Sequence, residues 1–341
     1  MTRHLVLHRT LRFAACLGAI LAAGCGGGGD GGGSPPPPEL LQITAGNQVA
    51  VARATAANFV SLGSVNDVGI VGSSGAQRGS AVAGAAKHAL GKAMAVARSG
   101  GSLRPLATYT VTEDCPAGGS ISITIDDRDN SGTASAGDVL TMAFTDCRDS
   151  ASSLIKGGVT ANLATVSDTQ MTGLFTFSQL TLVEGSESVS ANGQANATYS
   201  EATDAAGTMT ARTTISVTTA GLVTSISTPG YSDTFTNDPD FSAVWTDVMP
   251  RNAPGYSTSA LAGRMHIASL NGKIILATDP PVHVWSAEQY PDSGVILATG
   301  YQSKLRLTAV NTQTARLELD ANNDGAFEST RDVAWNELLP Y

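Results

Sequence analysis

The chain has 341 residues, 29 acidic and 20 basic side chains, a formal net charge of −9, and only 5% aromatic residues. An acidic balance of this kind leaves no footprint for a phosphate backbone, which excludes nucleic-acid binding as its main role. Its 37 glycines are spread unevenly along the chain.

Arg3, Arg9 and Arg12 precede an apolar run from Phe13 to Ala23. That run is about half the length needed to span a bilayer and fits a signal peptide over 1–24. Its end, Leu21-Ala22-Ala23-Gly24-Cys25, resembles the lipobox of bacterial lipoproteins, with Ala22 where leucine is usual. The resemblance implies that Cys25 is diacylated and becomes the first mature residue, anchoring the chain to a membrane. Gly26 follows it in place of the aspartate that implies inner-membrane retention, which points to the outer membrane. Residues 26–38, GGGGDGGGSPPPP, cannot bury a core; the glycines form a flexible coil and the prolines a stiff spacer, so 25–38 reads as a tether.

From 39 to 102 the composition turns to alanine, glycine and valine, predicting an Ala-rich helical segment. One helix is expected from Asn47, as N-cap, to Leu62, and a second from about Ser80 to Arg98, where Lys87 and His88 form a solvated edge. A poorly ordered stretch, 63–78, is expected between them.

The domain from 103 to 341 changes rhythm. Ile121, Ile123 and Ile125 alternate with polar residues, as do Leu140, Met142 and Phe144, which predicts a hairpin with one buried face. With Cys16 in the leader and Cys25 acylated, Cys115 and Cys147 remain to pair across it in an oxidising compartment. The loop between the strands places Asp127, Asp129, Ser131, Ser135 and Asp138 at positions 1, 3, 5, 9 and 12, with Thr133 at 7 and glycine at 6. This is the spacing of an EF-hand calcium loop: a hard cation wants six or more oxygens, and the glycine permits the sharp bend. The same residue types also build turns that bind nothing.

Short alternating runs then recur at 154–166, 172–183, 187–199, 207–218, 221–227, 241–246, 260–269, 273–278, 294–300, 303–310 and 314–319. With no helices between them, they predict a mainly β fold: an antiparallel up-and-down meander curling into a curved sheet, half-barrel or barrel. Asn271-Gly272 signals a type I′ turn. Residues 229–256, with four prolines among Tyr231, Phe235, Phe241, Trp245 and Tyr256, read as an irregular loop pinned to the core by its aromatics. After the last strand, Asp320, Asn322, Asp324 and Glu328 repeat positions 1, 3, 5 and 9, again with glycine at 6, but position 12 is Arg331. A short amphipathic ending packs Trp335 and Leu338.

The layout resembles a group of uncharacterised proteobacterial lipoproteins. The acylated Cys25, the Gly-rich tether, a strand reading Gly137, Asp138, Leu140, Phe144 and Cys147, and an Asp-x-Asn-x-Asp-Gly loop before a tryptophan carry that resemblance. It implies an address and no activity. Nucleophile elbow, phosphate loop and zincin motifs are missing from the sequence, and His266 and His283 show no acid or cysteine at ligand spacing. The leading expectation is therefore a non-enzymatic, membrane-anchored exported lipoprotein with a binding or envelope-structural role and calcium in its acidic loops. The alternatives are a carrier of apolar ligands or lipids, with 229–256 near the mouth of a cavity, and a hydrolase.

Overall fold

The computed structural model describes residues 39–69 and 108–339, apart from 133, 149 and 168. The leader, Cys25, the tether, the second expected helix with Lys87 and His88, and Thr133 lie outside the described residues. Helix α1 spans Gln48–Gly69. The strands are β1 (Thr108–Asp114), β2 (Ser120–Asp126), β3 (Val139–Cys147), β4 (Ser153–Val166), β5 (Gln170–Glu184), β6 (Glu187–Thr203), β7 (Met209–Thr228) and β8 (Tyr231–Asn237). They continue as β9 (Ser242–Met249), β10 (Tyr256–Ile267), β11 (Gly272–Thr278), β12 (Val282–Trp285), β13 (Val295–Gly300), β14 (Ser303–Ala309), β15 (Thr314–Asp320) and β16 (Ser329–Ala334). A one-turn helix, α2 (Trp335–Leu338), closes the chain.

All described strand pairings are antiparallel and follow chain order, as the alternating sequence predicts. Two lanes of the sheet each hold two strands. β8 and β9 run end to end along β7, with Leu222 opposite Asn237 and Ser216 opposite Ser242. β11 and β12 likewise share one side of β10. The region 229–256 is thus largely strand and not an irregular loop. Its prolines sit outside β8 and β9, while Phe235, Phe241 and Trp245 point into the core, so the aromatics do pin it. The expected strands 207–218 and 221–227 are a single strand, β7, bent at Gly221 (φ +74°).

Local chemistry explains two further departures. Asn47 precedes α1 as expected, but its Oδ1 accepts the N–H of Thr44 behind it at 2.8 Å, bracing the preceding turn. The β10–β11 hairpin is not closed by a two-residue turn: Ile267 pairs with Gly272, and a 3₁₀ turn over Ala268–Leu270 leads to Asn271 in the left-handed region. Buried Asp233 draws that turn inward by accepting the N–H and hydroxyl of Ser269 at 3.0 and 2.6 Å.

The helix lies on the concave face of the curled sheet. Val51, Ala52, Ala54, Thr55, Ala56, Ala57, Asn58, Ser61 and Leu62 are all buried, and at 3.6 residues per turn they cover most of the helix circumference, leaving Arg53 and Val60 half-buried. Asn58 and Ser61 meet β7 and β8, whereas Ala56 and Phe59, on the opposite side, face Ile296 of β13 and Leu307 of β14. A sheet that touches opposite sides of one helix must wrap around it. The helix continues to Gly69, through the first residues of the stretch expected to be poorly ordered. Among the described residues β1 pairs only with β2 and β16 only with β15, so the hydrogen-bonded sheet has two edges.

The segment before α1 crosses the end of the curl. The Leu41 N–H donates to the Lys273 carbonyl at 2.7 Å, the Leu41 carbonyl accepts the Tyr301 N–H at 2.9 Å, and Ile43 is buried. Gly300 leaves room for this crossing, because an added Cβ would lie 2.1 Å from the Leu41 carbonyl oxygen. Gly300→Ala is expected to lower stability by about 1–3 kcal/mol through overpacking against backbone. Urea denaturation would measure it, and an unchanged midpoint would mean that the crossing segment yields freely.

Candidate metal centres

The first acidic loop joins β2 to β3, with Asp126 paired to Val139 at its base. Asp138 is fully buried and Asp127 nearly so. The loop leans on β4: the Gly137 N–H donates to the Leu163 carbonyl at 2.8 Å and the Leu163 N–H to the Asp138 carbonyl at 2.9 Å. Asp127, Asp129 and Asp138 each bring a carboxylate oxygen to within 4.8 Å of the other two.

All six of those oxygens accept hydrogen bonds from the loop itself. Asp127 takes the N–H groups of Ser131 and Gly132 at 3.0 and 2.7 Å. Asp129 takes the Ser131 N–H and the Ser135 hydroxyl, both at 2.9 Å. Asp138 takes the Arg128 N–H at 2.9 Å, and the Ser135 N–H and hydroxyl at 2.7 and 3.1 Å. Donation from the Ser131 hydroxyl, then from the Ser135 hydroxyl and the Ser131 N–H, pulls the Asp129 carboxyl down to about 2. The ionised form is thus favoured by folding, so its contribution is present above the ordinary carboxylate range and is lost as pH falls toward that value.

The second loop joins β15 to β16, with Leu319 paired to Ser329. Asp320, Asp324 and Glu328 converge within the same 4.8 Å limit. Asp324 Oδ1 accepts the Ala326 N–H at 2.8 Å, its Oδ2 accepts Asn322 Nδ2 at 3.0 Å, and Glu328 Oε2 accepts the Ala321 N–H at 2.9 Å. Asn322 Oδ1 takes the Asp324 N–H at 3.0 Å, so this side chain shapes the loop. Asp320 is different. Its side chain is fully buried; Oδ2 accepts the Gly325 N–H at 3.0 Å, and Oδ1 has no hydrogen-bond partner. Asn323 (φ 61°) and Gly325 (φ 92°) make the bend, and the Arg306 guanidinium lies 3.9 Å from the Phe327 ring centroid, holding the loop to the sheet. Arg331 is exposed on β16, opposite Leu317.

Each cluster gathers hard oxygen donors and excess negative charge, and each can hold a metal ion. The chain matches no family profile, no curated protein and no solved structure.

The expected cysteine pair is present: Cys115 and Cys147 form a disulfide, with Cα atoms 5.4 Å apart. One cluster went unseen in the sequence. His283 Nδ1 lies 2.6 Å from Asp292 Oδ1, and Trp285 Nε1 donates to Asp292 Oδ2 at 2.9 Å. The acid thought missing near His283 is supplied by the turn after β12, where His283 bridges Ser293. Tyr256 and Trp285 rings pack on the imidazole with centroids 4.9 Å away. Rings this close fill the space between them, and the arrangement reads as a satisfied surface cluster. Only the pairing register brings these residues together, so no sequence motif announces them.

Proposed function

We propose that this is an exported, lipid-anchored protein of the bacterial envelope, with a binding or structural role, whose acidic loops take calcium. The observation that carries the ion part is the convergence of three carboxylates in each of two loops spaced like EF-hand loops. An all-oxygen, strongly negative donor set suits calcium better than a transition metal. Asp138 in place of the longer, bidentate glutamate, and Arg331 at the end of the second loop, set the expected affinity low. Support for the address comes from the leader, Cys25 and the tether, with the outer membrane favoured by Gly26.

The carrier reading has less support. Helix α1 occupies the concave face, and the apolar cavity beside it, lined by Phe59, Ile296, Leu307 and Trp335, is about 20 Å³. That is room for about one water.

The test is a thermal melt of the protein under oxidising conditions, in calcium and then in chelator. A dissociation constant on the order of 10⁻⁴ M implies about 1.4 kcal/mol at 1 mM calcium, hence a rise of a few degrees. No shift, together with no heat of binding at millimolar calcium, would remove the ion from this reading. Incorporation of labelled palmitate into the wild type and not into Cys25→Ser tests the anchor.

A further inference from the structure

We infer that the two acidic loops are not equivalent: the β15–β16 loop is a calcium-dependent clasp on the C-terminal edge of the sheet, and the β2–β3 loop keeps its shape without an ion. This rests on the reading above that the loops take a divalent cation.

The difference lies in how the carboxylates are satisfied. In the β2–β3 loop every oxygen of the three acids already accepts a hydrogen bond. In the β15–β16 loop, Asp320 is fully buried and its Oδ1 has no donor, beside two further carboxylates. A buried carboxylate with one oxygen lacking a donor, beside like charges, is disfavoured unless a cation meets that oxygen. Asp320, Asp324 and Glu328 offer a divalent cation oxygen ligands only. Arg331 cannot complete the set, so the remaining positions of the six to eight that calcium takes fall to Asn322, backbone carbonyls or water.

Placement gives the ion its consequence. Asp320 ends β15 and Glu328 immediately precedes β16, so one cation held by both closes the base of the last hairpin. Among the described residues β16 is an edge strand paired only with β15, and it leads directly into α2. There the buried Trp335 donates its ring N–H to the Asn311 carbonyl at 3.0 Å, and Arg53 of α1 donates to the Glu337 carbonyl. The clasp thus bears on the piece of chain that packs α2 against α1.

The experiment is hydrogen exchange, read by mass spectrometry, on the full-length protein in detergent, in 1 mM calcium and in chelator. Wild type, Asp320→Asn, Glu328→Gln and Asp127→Asn are compared, with a melt of each. Calcium should slow exchange in 329–339 roughly tenfold in wild type and in Asp127→Asn, and not in Asp320→Asn or Glu328→Gln. Asp320→Asn should melt no lower than wild type in chelator, because the substitution removes the buried charge. Calcium protection that survives both Asp320→Asn and Glu328→Gln overturns the clasp. So does a stabilisation by calcium that only Asp127→Asn abolishes, an outcome that leaves calcium binding itself intact. Absence of any calcium effect in wild type overturns the ion reading and the clasp together.

Discussion

Replacing Cys115 and Cys147 together with alanine should lower stability by about 3–4 kcal/mol, the loop-entropy value for a bridge of this span. The bonded residues are separated by 32 positions, and the closed loop contains β2, the first acidic loop and β3. Cys115 follows β1 in the turn to β2, so the bridge ties the first edge of the sheet to the third strand. The residues of β1 are mostly exposed, and among the described residues it pairs only with β2. The loss should therefore appear as earlier urea unfolding and as faster exchange in 108–126. A reductant acting on the wild type should reproduce the direction of both effects. If the double variant unfolds within about 1 kcal/mol of wild type, the unfolded chain is already compact in this region without the bridge and the entropic account fails.

Asn58→Leu should cost about 2–5 kcal/mol, although leucine keeps the branched outline of asparagine. Asn58 is fully buried on the face of α1 that meets the sheet. Its Nδ2 donates to Asn237 Oδ1 at 3.1 Å, and its Oδ1 accepts the Thr224 hydroxyl at 3.1 Å. Ser61 reaches the same Thr224 hydroxyl at 3.3 Å, and Asn237 Nδ2 donates to the Leu222 carbonyl at 3.3 Å. Leucine would strand a carbonyl and a hydroxyl in the core, each costing about 1–3 kcal/mol. Adding Asn237→Leu and Thr224→Val removes the stranded groups and should recover most of the loss. Urea melts of the single and triple variants decide the matter. A single variant close to wild type would mean that α1 is held by its apolar contacts alone. A triple variant no better than the single would mean that volume, not hydrogen bonding, governs the site.

Much of the fold was legible because a strand with one buried face repeats every two residues. Ile121, Ile123 and Ile125 display that period, and they and their partners Phe144, Met142 and Leu140 line one buried face. β8 was hidden because two of its inward positions, Asp233 and Asn237, are polar; their burial is made tolerable by Ser269 and Leu222, which lie far along the chain. β12 is only 4 residues long and follows Pro280-Pro281, and β16 reads as a polar edge strand with Arg331 and Asp332 at its centre. The acidic loops were visible from spacing alone, since loop positions of one short coil converge whatever surrounds them.

The sequence by itself determined the β class, the antiparallel meander, the cysteine pair and the composition of both acidic loops. All of these are encoded over short distances, in alternation, turn residues and ligand spacing. Tertiary structure decided that α1 is wrapped by the sheet, because a helix buried on several faces shows no single amphipathic stripe to read. It also decided that Asp292 meets His283, and that two acidic loops of similar composition differ: hydroxyl and amide donors complete the first, while Asp320 Oδ1 is buried without one. Those outcomes depend on which strands become neighbours and on what folds over a side chain, and no local pattern carries that information.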